Sequence, residues 1–255
     1  MEISALRSGD LVFYSERETQ SHAPHSSLTD LIQGIWSKDP VLARKHLRAR
    51  ILSTMPALSA MDQGMLKVAA KRASAALTLD EMQTLLGPRS QWHPVSPLPP
   101  PELLRPKDLG DFMQTALALE ESESSAPSSP LYTRDRKAAA LLISPEGTLL
   151  GAARNTNSRD RTRHAEVNLI QGWWACEKRP IPRGCKIFVT LRCCRMCAGM
   201  IWHAAEDPWS LQVYWHRDDP GPMAQGTILQ AGSPARRAAT SQRTHIEQLI
   251  ERPYP

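Results

Sequence analysis

Residues 88–106, PRSQWHPVSPLPPPELLRP, hold seven prolines. Each proline fixes φ near −65° and removes a backbone donor, so neither a regular helix nor a central strand runs through this stretch. The chain therefore reads as an N-terminal part (1–87), a linker (88–106) and a C-terminal part (107–255). A second interruption, ESESSAPSSP at 121–130, is polar and reads as a flexible excursion inside the later part. At 255 residues the chain is long enough to bury one large core or two small ones.

The N-terminal part reads as mainly helical. LTDLIQGIW, PVLARKHLRARILSTM and MDQGMLKVAAKRASAAL space their apolar residues by three to four, after one strand in DLVFYSE. Arg44, Lys45, Arg48 and Arg50 read as a solvated face, and no chemistry is visible there. The C-terminal part alternates. KDLGDFMQTALALEE (107–121) is a helix with an apolar stripe. KAAALLIS (137–144) and LLGAARN (149–155) form a hairpin across PEGT, with Gly147 at the turn. A helix from Ala165 to about Cys176, a strand CKIFVTL (185–191), a helix from about Cys194 and a strand LQVYWH (211–216) follow. This order implies an α/β fold, a mixed sheet flanked by helices.

Chemistry concentrates in two stretches of that later part. RHAEVNLI (163–170) places a histidine two residues before a glutamate, and CCRMCAG (193–199) crowds three cysteines into five positions. All five cysteines lie between 176 and 197, an odd and clustered set that argues against a disulfide framework and for metal binding. Cys194 and Cys197 form C-x-x-C at a helix start, where two thiolates converge on one ion. With His164 they make three ligands, which leaves the fourth tetrahedral position open, as in a catalytic zinc site. An ion so held brings water towards ionisation at neutral pH, and Glu166 is placed to take and pass on the proton. A purely structural zinc would need a fourth protein ligand such as Cys176 or Cys185. Those two read instead as ordinary buried thiols, and His203 and His216 as non-ligands.

HAE followed by TLRCCRMCAGMI resembles the cytidine/deoxycytidylate deaminase superfamily, whose second motif is usually T-L-x-P-C-x-M-C-A-G. TRHAEVNLI and VYWHRDDPGPMAQGTIL (213–229) resemble tRNA adenosine deaminase-like zinc deaminases most closely. The resemblance spans roughly 107–231 and implies a three-layer cytidine deaminase-like fold. It implies Zn2+ on His164, Cys194 and Cys197, Glu166 as general acid/base, and Asn155 holding the base, with Asn157 as the rival counterpart. The backbone N–H of Ala165 is a further candidate contact to the base. The family's proline is replaced by Cys193, which loosens the turn into the helix.

The substrate is argued from charge. The chain carries +5 overall, yet Gly151–Ala205 alone holds ten Lys or Arg against three acidic residues. A polyanion passing the pocket gains from that field and a neutral nucleoside does not. Arg236, Arg237 and Arg243 extend the basic track. Trp173, Trp174, Trp202, Trp209 and Trp215 offer stacking surfaces, with core packing the better expectation for each. The reading is a deaminase of adenine or cytosine in single-stranded or loop nucleic acid, RNA or DNA. A deaminase of free nucleosides or nucleotides and a noncatalytic RNA-binding subunit are the alternatives. No apolar run nears the roughly 18 residues that span a bilayer, and the N-terminus lacks signal-peptide order. A cytoplasmic protein with no membrane partner is expected, and a homodimer or higher homo-oligomer is left open.

Overall fold

The computed structural model describes residues 1–106, 111–122, 136–158 and 160–229, and the backbone of 235–237. The chain opens with a hairpin, β1 (Glu2–Ser8) and β2 (Leu11–Arg17), turned at Gly9 with φ 63°. Then come α1 (Ser27–Lys38), α2 (Ala43–His46), β3 (Arg50–Ser53), α3 (Ala60–Ala69), β4 (Arg72–Ser74), α4 (Leu79–Leu86) and the short β5 (His93–Pro94). The strands form one mixed sheet in the order β4-β3-β1-β2-β5. Ser26, Ser59 and Thr78 each start a helix with a reciprocal capping box, which fixes where α1, α3 and α4 begin.

This sheet corrects the expectation of a mainly helical N-terminal part. The helices exist, but they pack on five strands. Apolar runs of four to seven residues fit a strand as well as a helix. Thus PVLARKHLRARILSTM divides into the single turn of α2 and the strand β3, and MDQGMLKVAAKRASAAL ends its helix at Ala69.

The second half continues with α5 (Phe112–Glu121), β6 (Ala139–Ile143), β7 (Leu149–Arg154), α6 (Ala165–Glu177), β8 (Lys186–Leu191), α7 (Arg195–Ala204), β9 (Gln212–Arg217) and β10 (Ala235–Arg237). Its sheet runs β10-β9-β8-β6-β7, with parallel pairs β10/β9 and β9/β8 and antiparallel pairs β8/β6 and β6/β7. The β6–β7 hairpin turns at Gly147, where φ is 89°. Pleating sends alternate residues to opposite faces. Leu141, Ile143, Phe188 and Tyr214 meet Met113 and Ala116 of α5. Ala140, Leu142, Ile187, Val189 and Val213 join the core that holds α6 and α7. Helices cover both faces, so all of β6 is buried and the three-layer α/β arrangement is complete. Residues 107–110 of the expected first helix, and the ESESSAPSSP stretch beyond Ser122, lie outside the described residues.

The two halves share one core. A single cluster runs from Leu6, Leu28 and Ile32 to Val189, Met196 and Ile201. α3 crosses α7 backbone to backbone, with Gly64 against the Arg195 carbonyl and Gly199 against the Ala60 carbonyl. The proline-rich stretch lies along both sheets: β5 pairs with β2, and Leu104 bridges Ala152 of the edge strand β7. Among the described residues no helix is long and apolar enough to cross a membrane.

Candidate active site

His164 is the N-cap of α6 and Cys194 the N-cap of α7. Both have extended backbone, and neither uses its side chain to cap its own helix. Imidazole and thiol instead meet each other. His164 Nδ1 lies 3.7 Å from Cys194 Sγ and 3.5 Å from Cys197 Sγ, and the two sulfurs are 3.5 Å apart. Zinc bonds of about 2.3 Å to sulfur and 2.0–2.1 Å to nitrogen give a tetrahedron with edges of roughly 3.5–3.8 Å. The triangle therefore has the dimensions of three corners of such a tetrahedron. Among the described residues no fourth His, Cys, Asp or Glu donor joins it.

The donor chemistry fits a cation as well. Cys194 is held well below the usual thiol range, chiefly by the hydrogen bond from Cys197, with His164 adding to the effect against burial. Cys197 is pushed well above that range by burial and by the Cys194 charge beside it. Two thiolates this close repel unless a positive charge lies between them. For His164, burial is the largest effect and opposes the charged form, but the charge and hydrogen bond of Cys194 and the Glu166 charge together outweigh it, and the pKa is raised.

Glu166 lies in the first turn of α6 and is almost fully buried. Burial pushes its carboxyl up, with His164 pulling the other way. A carboxyl so placed exchanges protons more readily near neutral pH than an exposed one. Cys193 is buried beside it, outside the metal triangle. Burial and then the Glu166 charge push the Cys193 thiol well above its ordinary range, and the thiol hydrogen-bonds that carboxyl.

Glu166, His164, Cys194 and Asn155 line one small cleft, whose enclosed volume of about 20 Å³ has room for a water molecule beside the three donors. Asn155 follows β7, and its Oδ1 accepts the Ala165 N–H at 2.5 Å. The two residues expected to contact the base are thus bonded to each other, and Asn155 satisfies a helix-start donor that His164 leaves open. Asn157 does not line the cleft; its Oδ1 accepts the Arg136 N–H at 3.1 Å.

Sequence reasoning passed over three lining residues as site components: Arg136, Arg192 and Asp219. Arg136 pairs with Asp219 at 3.4 Å, and Arg192 pairs with Asp218 at 3.7 Å while stacking 5.0 Å from the Trp215 ring centroid. Arg192 stands two positions before Cys194, a spacing that could have flagged it. Cys185 is buried as expected, whereas Cys176 is exposed in the last turn of α6. Of the five tryptophans, Trp173 is fully packed and Trp209 is 63% exposed. Arg44, Lys45, Arg48 and Arg50 are all exposed. The side chains of Arg236, Arg237 and Arg243 lie outside the described residues.

Residues 129–240 match the family model described as Bd3614-like deaminase. The matched segment contains every candidate site residue, and the first hundred residues lie outside it. No curated protein matches the chain. Among solved structures it is similar to the dCMP deaminase of cyanophage S-TIM5, with 20% identity and TM-score 0.35 over 50% of this chain and 94% of that one. It is similar to a structure from studies of A-to-I editing by tRNA:A34 deaminases, with 20% identity and TM-score 0.37 over 54% and 97%. A third is the Rib2 deaminase of Aspergillus oryzae, with 16% identity and TM-score 0.38 over 53% and 87%.

Proposed function

We propose, on the premise that residues 129–240 are a deaminase domain, that this chain is a zinc-dependent hydrolytic deaminase of an adenine or cytosine base presented in single-stranded or loop nucleic acid. One observation carries the reading: a three-donor triangle of zinc dimensions opens onto a cleft that also holds a buried carboxyl. Zinc, when bound by His164, Cys194 and Cys197, supplies a Lewis acid that makes water nucleophilic near neutral pH.

The remaining steps belong to the chain's own side chains. Glu166 takes the proton of the attacking water and delivers it to the ring nitrogen, then takes the proton of the added hydroxyl and delivers it to the departing amine as the C–N bond breaks. Its burial keeps that proton from exchanging with bulk solvent. Asn155, fixed through Oδ1 by the Ala165 N–H, has its amide nitrogen left to hold the edge of the base. Arg136 and Arg192 border the cleft, each steadied by an aspartate, and the surrounding excess of basic residues favours a polyanion over a neutral nucleoside.

The test incubates the protein with adenosine- and cytidine-containing RNA and single-stranded DNA, with free nucleosides and nucleotides alongside, and reads deaminated products by mass spectrometry. Turnover of a polymer that falls steeply with salt supports the reading. Turnover of free nucleotides alone, with a flat salt response, assigns the small substrate instead.

A further inference from the structure

The ten residues from Asn155 to His164, NTNSRDRTRH, contain no hydrophobic side chain. Those described, 155–158 and 160–164, form no helix or strand, yet they end on the His164 ligand. A loop of this composition cannot be anchored by apolar burial, so whatever fixes it must be polar.

What fixes it is a closed ring of five buried side chains. Gln33 Nε2 donates to Thr162 Oγ1 at 3.1 Å, and Thr162 Oγ1 donates to Asp160 Oδ1 at 2.7 Å. Asp160 Oδ2 faces Arg163 Nε at 3.6 Å, and Arg163 Nη1 donates to Gln171 Oε1 at 3.0 Å. Gln171 Nε2 closes the circuit by donating to Gln33 Oε1 at 3.1 Å. Two main-chain carbonyls complete it, Pro24 O accepting from Gln171 and Leu98 O from Arg163. All five residues are under 8% exposed.

Arg163 is the cation and donor on both of its sides and Asp160 the anion and acceptor on both of its own, so every link joins a donor to an acceptor and the ring is stiff. Its members come from three places: Gln171 from α6, three from the loop itself, and Gln33 from α1. Gln33, Pro24 and Leu98 all precede the matched deaminase segment.

We propose that Gln33 and the ring it closes are positioning residues for His164, so that the N-terminal part completes the metal site of the deaminase domain. The proposal rests on the zinc reading above. The backbone leads directly from ring to ligand: Thr162 is held by Asp160, and the His164 N–H donates to the Thr162 carbonyl at 2.8 Å. Without Gln33, Thr162 loses a donor and Gln171 an acceptor, and the loop gains the freedom to carry the imidazole away from the two sulfurs. Residues 1–106 thereby acquire a task that does not involve touching substrate.

The full-length chain tests this by competition for zinc against a chromophoric chelator, at a temperature where near-UV circular dichroism shows each variant folded. Gln33→Leu and Thr162→Val should bind zinc about 10- to 100-fold more weakly, the usual effect of removing a residue that orients a ligand. Thr162→Ser restores the hydroxyl and should lie within about threefold of wild type. Leu52→Ala, buried in the separate cluster on the other face of the N-terminal sheet, should lower the melting temperature and leave zinc affinity unchanged. Gln33→Asn, which keeps the amide but falls short of Thr162, replaces Gln33→Leu should that variant not fold. Unchanged affinity in the Gln33 and Thr162→Val variants overturns the positioning role, as does equal weakening by Leu52→Ala. A wild-type chain that takes up no zinc overturns the metal reading and this role together, a distinguishable result.

Discussion

Gly199→Ala sets two opposed effects against each other at the crossing of α3 and α7. In an exposed helix, replacing Gly by Ala gains about 1 kcal/mol. Here a Cβ on Gly199 would lie 2.3 Å from the Ala60 carbonyl oxygen and 2.8 Å from its carbon. Ordinary contact begins near 3.4 Å, so α3 must withdraw by roughly 1 Å, and overpacking of this kind costs about 1–3 kcal/mol. The obstructing atoms are backbone and cannot rotate aside, which places the cost at the upper end. The net loss is about 2 kcal/mol, or roughly 4–8 °C in melting temperature for a chain of this size. Gly172→Ala is the internal comparison. Its Cβ would meet Leu103 Cδ2 at 2.7 Å, the end of a flexible side chain, so the loss there should be smaller. Thermal and urea unfolding of the two variants beside wild type measure the difference. A Gly199→Ala protein as stable as wild type, or more so, would refute the backbone-to-backbone crossing.

Three further outcomes are expected at the site. Cys193→Ala should retain zinc while Cys194→Ala loses it, because only the latter sulfur belongs to the triangle with His164 and Cys197; metal analysis in the reverse order would reassign the ligands. Glu166→Ala should keep its metal and lose at least about 10²-fold in turnover, the usual range for a general acid/base being 10²–10⁴, and unchanged turnover would remove Glu166 from the proton path. Asn155→Ala strips the acceptor from the Ala165 N–H and should cost about 1 kcal/mol as a lost helix cap, seen as a lower melting temperature with zinc retained.

The later half was legible because its chemistry is written locally. HAE and C-x-x-C each fall at a helix start, and the hairpin, β8 and β9 follow period-two or wholly apolar runs bounded by turn residues. His164, Cys194 and Cys197 could therefore be brought together on paper. The first half was misread where short apolar runs suit either period: β3 and β4 disappeared into helices and β1 was left unassigned, although α1 and α3 were visible from their spacing. Arg136, Arg192 and Asp219 enter the cleft from three separate connections, and nothing local in the sequence couples them. The ring through Gln33 is hidden for the same reason, since Gln33 and Thr162 are 129 positions apart.

That separation makes the fragment of 107–255 a demanding case. Cut free, it keeps all three ligands, Glu166 and its own sheet, so a reading based on motifs alone expects it to fold and bind zinc. The structure argues the opposite. α7 loses the α3 cover over Gly199 and the Arg195 carbonyl, and the core shared with Leu28 and Ile32 opens to water. Arg163 loses the Leu98 carbonyl while remaining bound to Asp160, and Gln171 loses both Gln33 and the Pro24 carbonyl. Leaving buried partners unsatisfied costs about 1–3 kcal/mol for each group, which a domain with a typical margin of about 5–15 kcal/mol cannot lose several times over. The fragment should therefore aggregate or lack near-UV circular dichroism, and should not protect zinc from a chelator. A monomeric fragment that unfolds cooperatively and holds zinc as tightly as the full chain would show that the N-terminal part is an accessory to the site and not part of its construction.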